Sequence, residues 1–246
     1  MQDTLQKIRE KISKSSSYYS DLVNRKVRDY EIYSGNYWND ESIRAVDRVG
    51  RICRSFNMYA KFLNAIVSPF SKSPWHCEID DPDGVYKNVQ EQIDDLENMT
   101  NTKYVFTEAV RGACICGVGY VILSTSDGKV TLEAVNDPTH IALDPCCREM
   151  DASDCEYAAV VDFISTTKAK RLYGDNVVNS DGSCILGNLG SQWTIPADCC
   201  PIVTYYELNE QGSVTVTKAC GNLVIGEPMI LNISRIPIYR FCYNEV

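Results

Sequence analysis

Apolar residues recur at three- and four-residue steps through the first half of the chain, then alternate or cluster in short runs. The change falls near Gly117 and predicts helices before it and strands after it. Leu5, Ile8 and Ile12 mark a helix over residues 4–14, which Ser15-Ser16-Ser17 is expected to break. A second helix is predicted over Asp21–Tyr33, with Leu22, Val23, Val27, Tyr30 and Tyr33 on one face and Gly35 after its last turn. Tyr37, Trp38, Asn39 and Asp40 follow as an aromatic turn. Tyr59, Phe62, Leu63, Ile66 and Val67 place a third helix over 56–67, with Pro69 as its stop. Trp75–Ile79 reads as a short strand, and Asp81-Pro82-Asp83-Gly84 as a turn. Val85, Val89, Ile93 and Leu96 keep helical register over Val85–Met99. The next helix is predicted over Thr102–Cys116, with Phe106, Ala109, Val110, Ala113 and Gly117 on a face small enough for close packing.

Beyond Gly119 the pattern predicts strands over Tyr120–Thr125 and Lys129–Val135, joined by the hairpin signal Ser126-Asp127-Gly128. Further strands are expected over His140–Leu143 and Tyr157–Ile164, separated by the polar stretch Asp144–Asp154. Ser165 reads as the N-cap of a short helix over Thr166–Tyr173, which Gly174 closes. Residues 175–200 are rich in Gly, Asn, Ser and Asp and read as an excursion or long loop. Short strands fill 201–243, with turns at Gln211-Gly212 and Gly221-Asn222. The fold class is α+β: a helical N-terminal half packed on a mainly antiparallel, β-rich C-terminal half. Residues 1–246 are expected to form a single region, mainly helical over 1–117 and mainly β over 118–246, with no linker separating two domains.

Composition narrows the function classes. The chain has 246 residues, 44% of them hydrophobic, enough for a substantial buried core. Its 24 basic against 33 acidic residues give a net charge of -9, so the chain as a whole lacks the basic excess of a nucleic-acid reader. No run reaches the roughly 18 apolar residues of a membrane span, and Met1–Lys14 lacks the apolar core of a secretory signal. A soluble protein, made and used in a cytoplasm, is expected. There are 12 cysteines but no C-x-x-C and only two histidines, His76 and His140. Zinc sites favour ligands paired at short fixed spacing, so no metal is expected. The thiols read as small, reduced, buried hydrophobes.

Several motifs invite chemistry and are better explained without it. Gly117-Val118-Gly119 follows a helix and precedes a strand, the reverse of a phosphate-binding loop, so helix termination accounts for it. Asp175, Asn176, Asn179, Asp181 and Gly182 gather oxygen ligands, but position twelve of a calcium loop from Asp175 would be Leu186. His76 adjoins Cys77 on the expected strand, where neighbours point to opposite faces. His140 lies six residues before Cys146. Asp80, Asp81 and Asp83 belong to a solvated turn, and Asp94-Asp95 to the polar side of a helix. No residue is assigned a catalytic, cofactor-binding or metal-binding role, and no cofactor is expected. The aromatic cluster Tyr18, Tyr19, Tyr30, Tyr33, Tyr37 and Trp38 suits either an interface or packing of the N-terminal helices.

Four segments, in order, resemble the portal proteins of short-tailed bacteriophages. Tyr30–Asp40 with the arginine-bearing stretch after it is similar to that family's Tyr…Gly…Trp segment. Residues 106–123 resemble its helix that runs into a G-x-G-aromatic strand. Residues 137–174 are similar to a strand ending in an aspartate (here Asp144), a polar connection (Asp151–Cys155), a strand, and a short helix from Ser165. Ile202–Leu208 and Val214–Pro237 resemble its later strands and closing Ile-Pro, here Ile236-Pro237. The resemblance is to the wing-type region; stem, clip and crown would be absent, as in a shortened piece or a degraded prophage gene.

The resemblance implies a non-enzymatic structural subunit of the ring at a capsid vertex through which DNA is packaged and ejected. It implies as partners other portal subunits in a ring of twelve, capsid and scaffolding proteins, the terminase large subunit and a head–tail adaptor. Double-stranded DNA would pass without sequence-specific binding, and no membrane is involved. The location implied is the virion, and the host bacterial cytoplasm during assembly. Two alternatives stand beside it: a non-catalytic adaptor or binding module, and a thiol- or metal-dependent enzyme.

Overall fold

A computed structural model describes residues 2–35, 58–72, 77–126, 129–135, 137–149, 151–190, 193 and 195–242. Among them the helices are α1 (Gln2–Tyr18), α2 (Ser20–Ser34), α3 (Met58–Lys72), α4 (Lys87–Thr100), α5 (Thr102–Cys116) and α6 (Thr166–Tyr173). The strands are β1 (Val118–Ser126), β2 (Lys129–Val135), β3 (Ile141–Leu143), β4 (Tyr157–Ser165), β5 (Cys199–Leu208), β6 (Val214–Cys220), β7 (Leu223–Leu231) and β8 (Ile238–Cys242). Every strand pairing is antiparallel. The α+β class is therefore as expected. The chain forms two compact units, Met1–Asn24 with Thr139–Ile236, and Arg25–Pro138 with Pro237–Val246. Each unit contains helices and a sheet.

The first unit is built on a five-stranded sheet in the order β3-β4-β5-β6-β7. Successive strand residues point to opposite faces, and both faces are covered here. Tyr157, Ala159, Val161, Val203, Tyr205 and Ala219 share a core with Leu5, Ile8 and Ile12 of α1. Cys200 and Cys220 share another with Ala169 of α6 and with Val177 and Val178. Leu5, Ile8 and Ile12 are at most 1% exposed, and burial of each contributes about 1.5–3 kcal/mol. Lys7 pairs with Glu207 at 2.7 Å, and the Lys11 ammonium lies 4.5 Å over the Tyr157 ring.

Three expectations for this unit need correction. Ser15-Ser16-Ser17 does not break α1, which runs on to Tyr18 with Ser15 and Ser16 buried. Their small side chains suit a close approach: a Cβ on Gly190 would meet the Ser16 Cβ at 2.6 Å. The described residues of 175–198 form a long loop, one of the two forms expected, but not an outward excursion, since Val177, Leu186, Leu189 and Trp193 are buried in the two cores. Its backbone is irregular because its polar groups bond locally or to turns, as when Leu186 N–H donates to the Gly221 carbonyl. Nor are all the thiols reduced: Cys147 and Cys155 form a disulfide.

The second unit carries a three-stranded sheet, β2-β1-β8. Val105 and Ala109 of α5 pack with Val121 of β1, flanked by Phe106, Leu132, Ala134 and Phe241. Leu63, Val67, Ile115 and Cys116 form a further cluster with Tyr30 and Tyr33. The helix over Thr102–Cys116 and the hairpin after it are as predicted. Asp127 and Gly128 of the hairpin turn lie outside the described residues, as do Tyr37, Trp38 and His76.

Here too the structure departs from expectation. Pro69 lies inside α3, which continues to Lys72. Proline costs a helix one hydrogen bond, and burial of Leu63 and Val67 on the same helix offsets it. The rest of the predicted α3 face is exposed: Phe62 at 67% and Tyr59 at 38%. The helix expected from Val85 begins at Lys87, and none of its residues is buried. Residues 77–79 are not a strand. The Gln90 side chain accepts from Ile79 N–H and donates to the Cys77 carbonyl, and Glu97 accepts from Cys77 N–H. Side chains of α4 thus replace the ladder partner that a strand would need.

Candidate functional site

Helix α5 passes into the β1–β2 hairpin through Gly117-Val118-Gly119. Gly117 holds a left-handed backbone, φ 77°, as the C-cap of α5. Gly119 serves a different purpose. A Cβ on it would lie 1.8 Å from the Ala109 carbonyl oxygen, so only hydrogen fits where β1 crosses the helix. Ala109 is fully buried and Gly112 and Ala113 are buried beside it. Helix termination, as expected, explains the first glycine; backbone contact explains the second.

The second feature is the loop from Asp144 to Glu156, between β3 and β4. Asp144 is buried, and its carboxylate accepts from Cys146 N–H at 3.0 Å and Glu156 N–H at 3.3 Å. The Asp154 carboxylate accepts from Arg148 N–H at 2.6 Å and Glu149 N–H at 3.1 Å. Tyr19 donates its hydroxyl to the Asp144 carbonyl. Asp151 pairs with Arg235. The polar composition that marks this segment in sequence is thus spent on holding its shape. After β4 the Ser165 hydroxyl accepts from Lys168 N–H, and Gly174 N–H donates to the Lys170 carbonyl, so the helix caps stand where predicted.

Five of the described thiols are placed unfavourably for nucleophilic catalysis. Burial pushes Cys116 and Cys220 up to about 12 and Cys184 to about 11, and raises Cys114 and Cys200 as well. Such thiols stay protonated at neutral pH, whereas the nucleophile is the thiolate. His140 meets the Asp162 carboxylate at 3.2 Å and the Phe163 ring edge-on.

The remaining polar clusters form turns or, for Asp94, lie within helix α4. Asp181 accepts from Ser183 N–H and hydroxyl, and those bonds hold its carboxyl below the ordinary value. Asn179 and Asn222 bond each other beside a cleft of about 570 Å³, also lined by Gln2 and Asn176. Asp81 accepts from Val85 and Tyr86 N–H at the entry to α4, and Asp94 accepts from Gln90. Of the aromatic cluster, Tyr30 and Tyr33 pack edge-to-face and Tyr33 donates to Asn64, while Tyr18 is 62% exposed. Among the described residues no helix is long and apolar enough to cross a membrane.

Among the described residues, the motifs singled out above serve turns, caps and close contacts. None of the curated proteins compared matches the chain. The family model for the phage P22-like portal protein matches residues 9–222, from within α1 to the β6–β7 turn. That match takes in the helix–hairpin junction, the 144–156 loop and the capped α6, and the chain belongs to the phage P22-like portal protein family.

Proposed function

We propose that this chain acts without catalysis, as a structural subunit or fragment of the ring through which phage DNA is packaged and ejected. Family membership gives it a portal-related structural role and makes it a component of the virion. The match over residues 9–222 is the observation that carries the finer reading. Its partners would be further copies in a ring of twelve, capsid and scaffolding proteins, the terminase large subunit and a head–tail adaptor. Assembly would take place in the host cytoplasm. Residues 1–246 would act as one wing-type region of that subunit.

Charge supports the same reading. A net charge of -9 repels phosphate, so a conduit of such subunits lets DNA slide where a basic one would grip it. Ring contacts between identical copies are heterologous, one surface meeting a different one, and close only at the correct rotation.

A stop codon early in the gene tests the proposal in the producing phage. The expected result is shell protein without DNA-filled heads, restored by supplying the chain in trans. Normal yields of DNA-filled particles from the mutant would refute it.

A further inference from the structure

The loop that joins β3 to β4 holds more than a covalent tie. The sulfurs of Cys147 and Cys155 and a carboxylate oxygen of Asp154 all lie within 4.8 Å of one another. Both cysteines are 3% exposed, while Asp154 is exposed, so the group opens to solvent on the carboxylate side. We propose that, once the disulfide is reduced, these three side chains bind one thiophilic divalent cation of the zinc type. Disulfide and metal are then alternative states of one site.

The case rests on the loop keeping its shape without the S–S bond. Asp144 ties Cys146 and Glu156 through its carboxylate, and its carbonyl accepts from Cys147 N–H at 2.9 Å. Asp154 ties Arg148 and Glu149. Ala152 N–H donates to the Glu149 carbonyl and Cys155 N–H to the Ala152 carbonyl, both at 3.2 Å. These bonds bring the chain back on itself between the two cysteines, and none of them runs through a sulfur; the proposed site requires that they persist on reduction. Ligand atoms of a tetrahedral thiolate–zinc site lie about 3.8 Å apart, so the two sulfurs must part from their bonded positions while the Asp154 carboxylate already lies within reach of both. The hydrogen bonds to Asp154 also orient its carboxylate, as outer partners do for metal-bound carboxylates.

The chemistry balances simply. A dithiol or phosphine reductant gives two electrons to the S–S bond, and two protons complete the thiols. The cation then displaces those protons and takes both thiolates and the carboxylate, leaving a fourth position for water. Zinc binds such mixed sulfur and oxygen sets. The spacing, seven residues between the cysteines, is outside the short pairings that mark zinc sites in sequence. Only the fold of the loop brings the donors together.

Cadmium titration of the full-length, reduced, metal-free protein tests this through its thiolate charge-transfer absorbance. Other thiols contribute, so the comparison is with C147S and C155S under the same conditions. The unsubstituted protein should bind one more tightly held cadmium per chain than either variant. D154N should keep the thiolate band but bind that cadmium at least about tenfold more weakly. The oxidised protein should match the variants. Identical titrations for the unsubstituted protein, C147S and C155S would overturn the proposal. If the variants do not fold, alkylation of the reduced protein with and without zinc, mapped by mass spectrometry, decides. Protection by zinc at Cys147 and Cys155 supports the site; equal labelling of both with and without zinc refutes it.

Discussion

Gly119 lies against Ala109 so closely that a side-chain carbon on it would stand 1.8 Å from the Ala109 carbonyl oxygen. The neighbour is helix backbone, which has no rotamer by which to yield. Gly119→Ala should therefore cost about 3 kcal/mol or more, the upper range of overpacking. Gly117→Ala, at an open position with φ 77°, should cost only about 1 kcal/mol. Denaturant unfolding of the two variants checks the order. Equal midpoints for Gly119→Ala and the unsubstituted protein would contradict the close contact.

Helix α1 supplies Leu5, Ile8 and Ile12 to a core whose other members come from residues 142–219. Ile8→Ala leaves a hole under a fully covered side chain and should cost about 2–5 kcal/mol. Leu22→Ala, at a 41% exposed site, should stay within about 0.5 kcal/mol. Thermal melts followed by circular dichroism separate the two.

Gln90→Ala should loosen residues 77–79, because that side chain bonds both Ile79 N–H and the Cys77 carbonyl. A loss of about 1–3 kcal/mol is expected. Amide exchange at Ile79 should accelerate while exchange within β1 stays unchanged. Unaltered protection at Ile79 would show that another group carries the segment.

Stability should fall on the alkaline side. Burial raises Cys116 and Cys220 from 9.0 to about 12, which favours the neutral thiol in the folded state. The unfolded thiols lose their protons first as pH rises. The contribution is therefore complete below pH 9 and is lost as pH climbs toward about 12. Melting temperatures measured from pH 8 upward should decline beyond about 9, the ordinary thiol range. Replacing Cys116 by Ala should flatten part of that decline.

Local chemistry was legible where one or two residues decide the backbone. Ser165 and Gly174 cap α6, Gly212 and Gly221 turn the chain with positive φ, and Thr102–Cys116 is helical to the residue. What escaped depends on partners distant in sequence. Ser15 and Ser16 continue a helix because small residues face the core beside Gly190. Cys77–Ile79 has strand-like composition, yet Gln90 and Glu97 satisfy its backbone. The polar run 175–200 hides Leu186, Leu189 and Trp193, which tertiary packing draws inward. The donor group at Cys147, Asp154 and Cys155 had no signature in spacing, since the turns between them create it.

Locating the chain in assembled particles tests its place in the portal ring most directly. A small tag on the chain, followed by asymmetric cryo-electron microscopy of heads made in the host, would do so. Added density is expected at a single vertex of each DNA-filled head. Tagged chain absent from purified heads, or spread over all vertices, would contradict that placement.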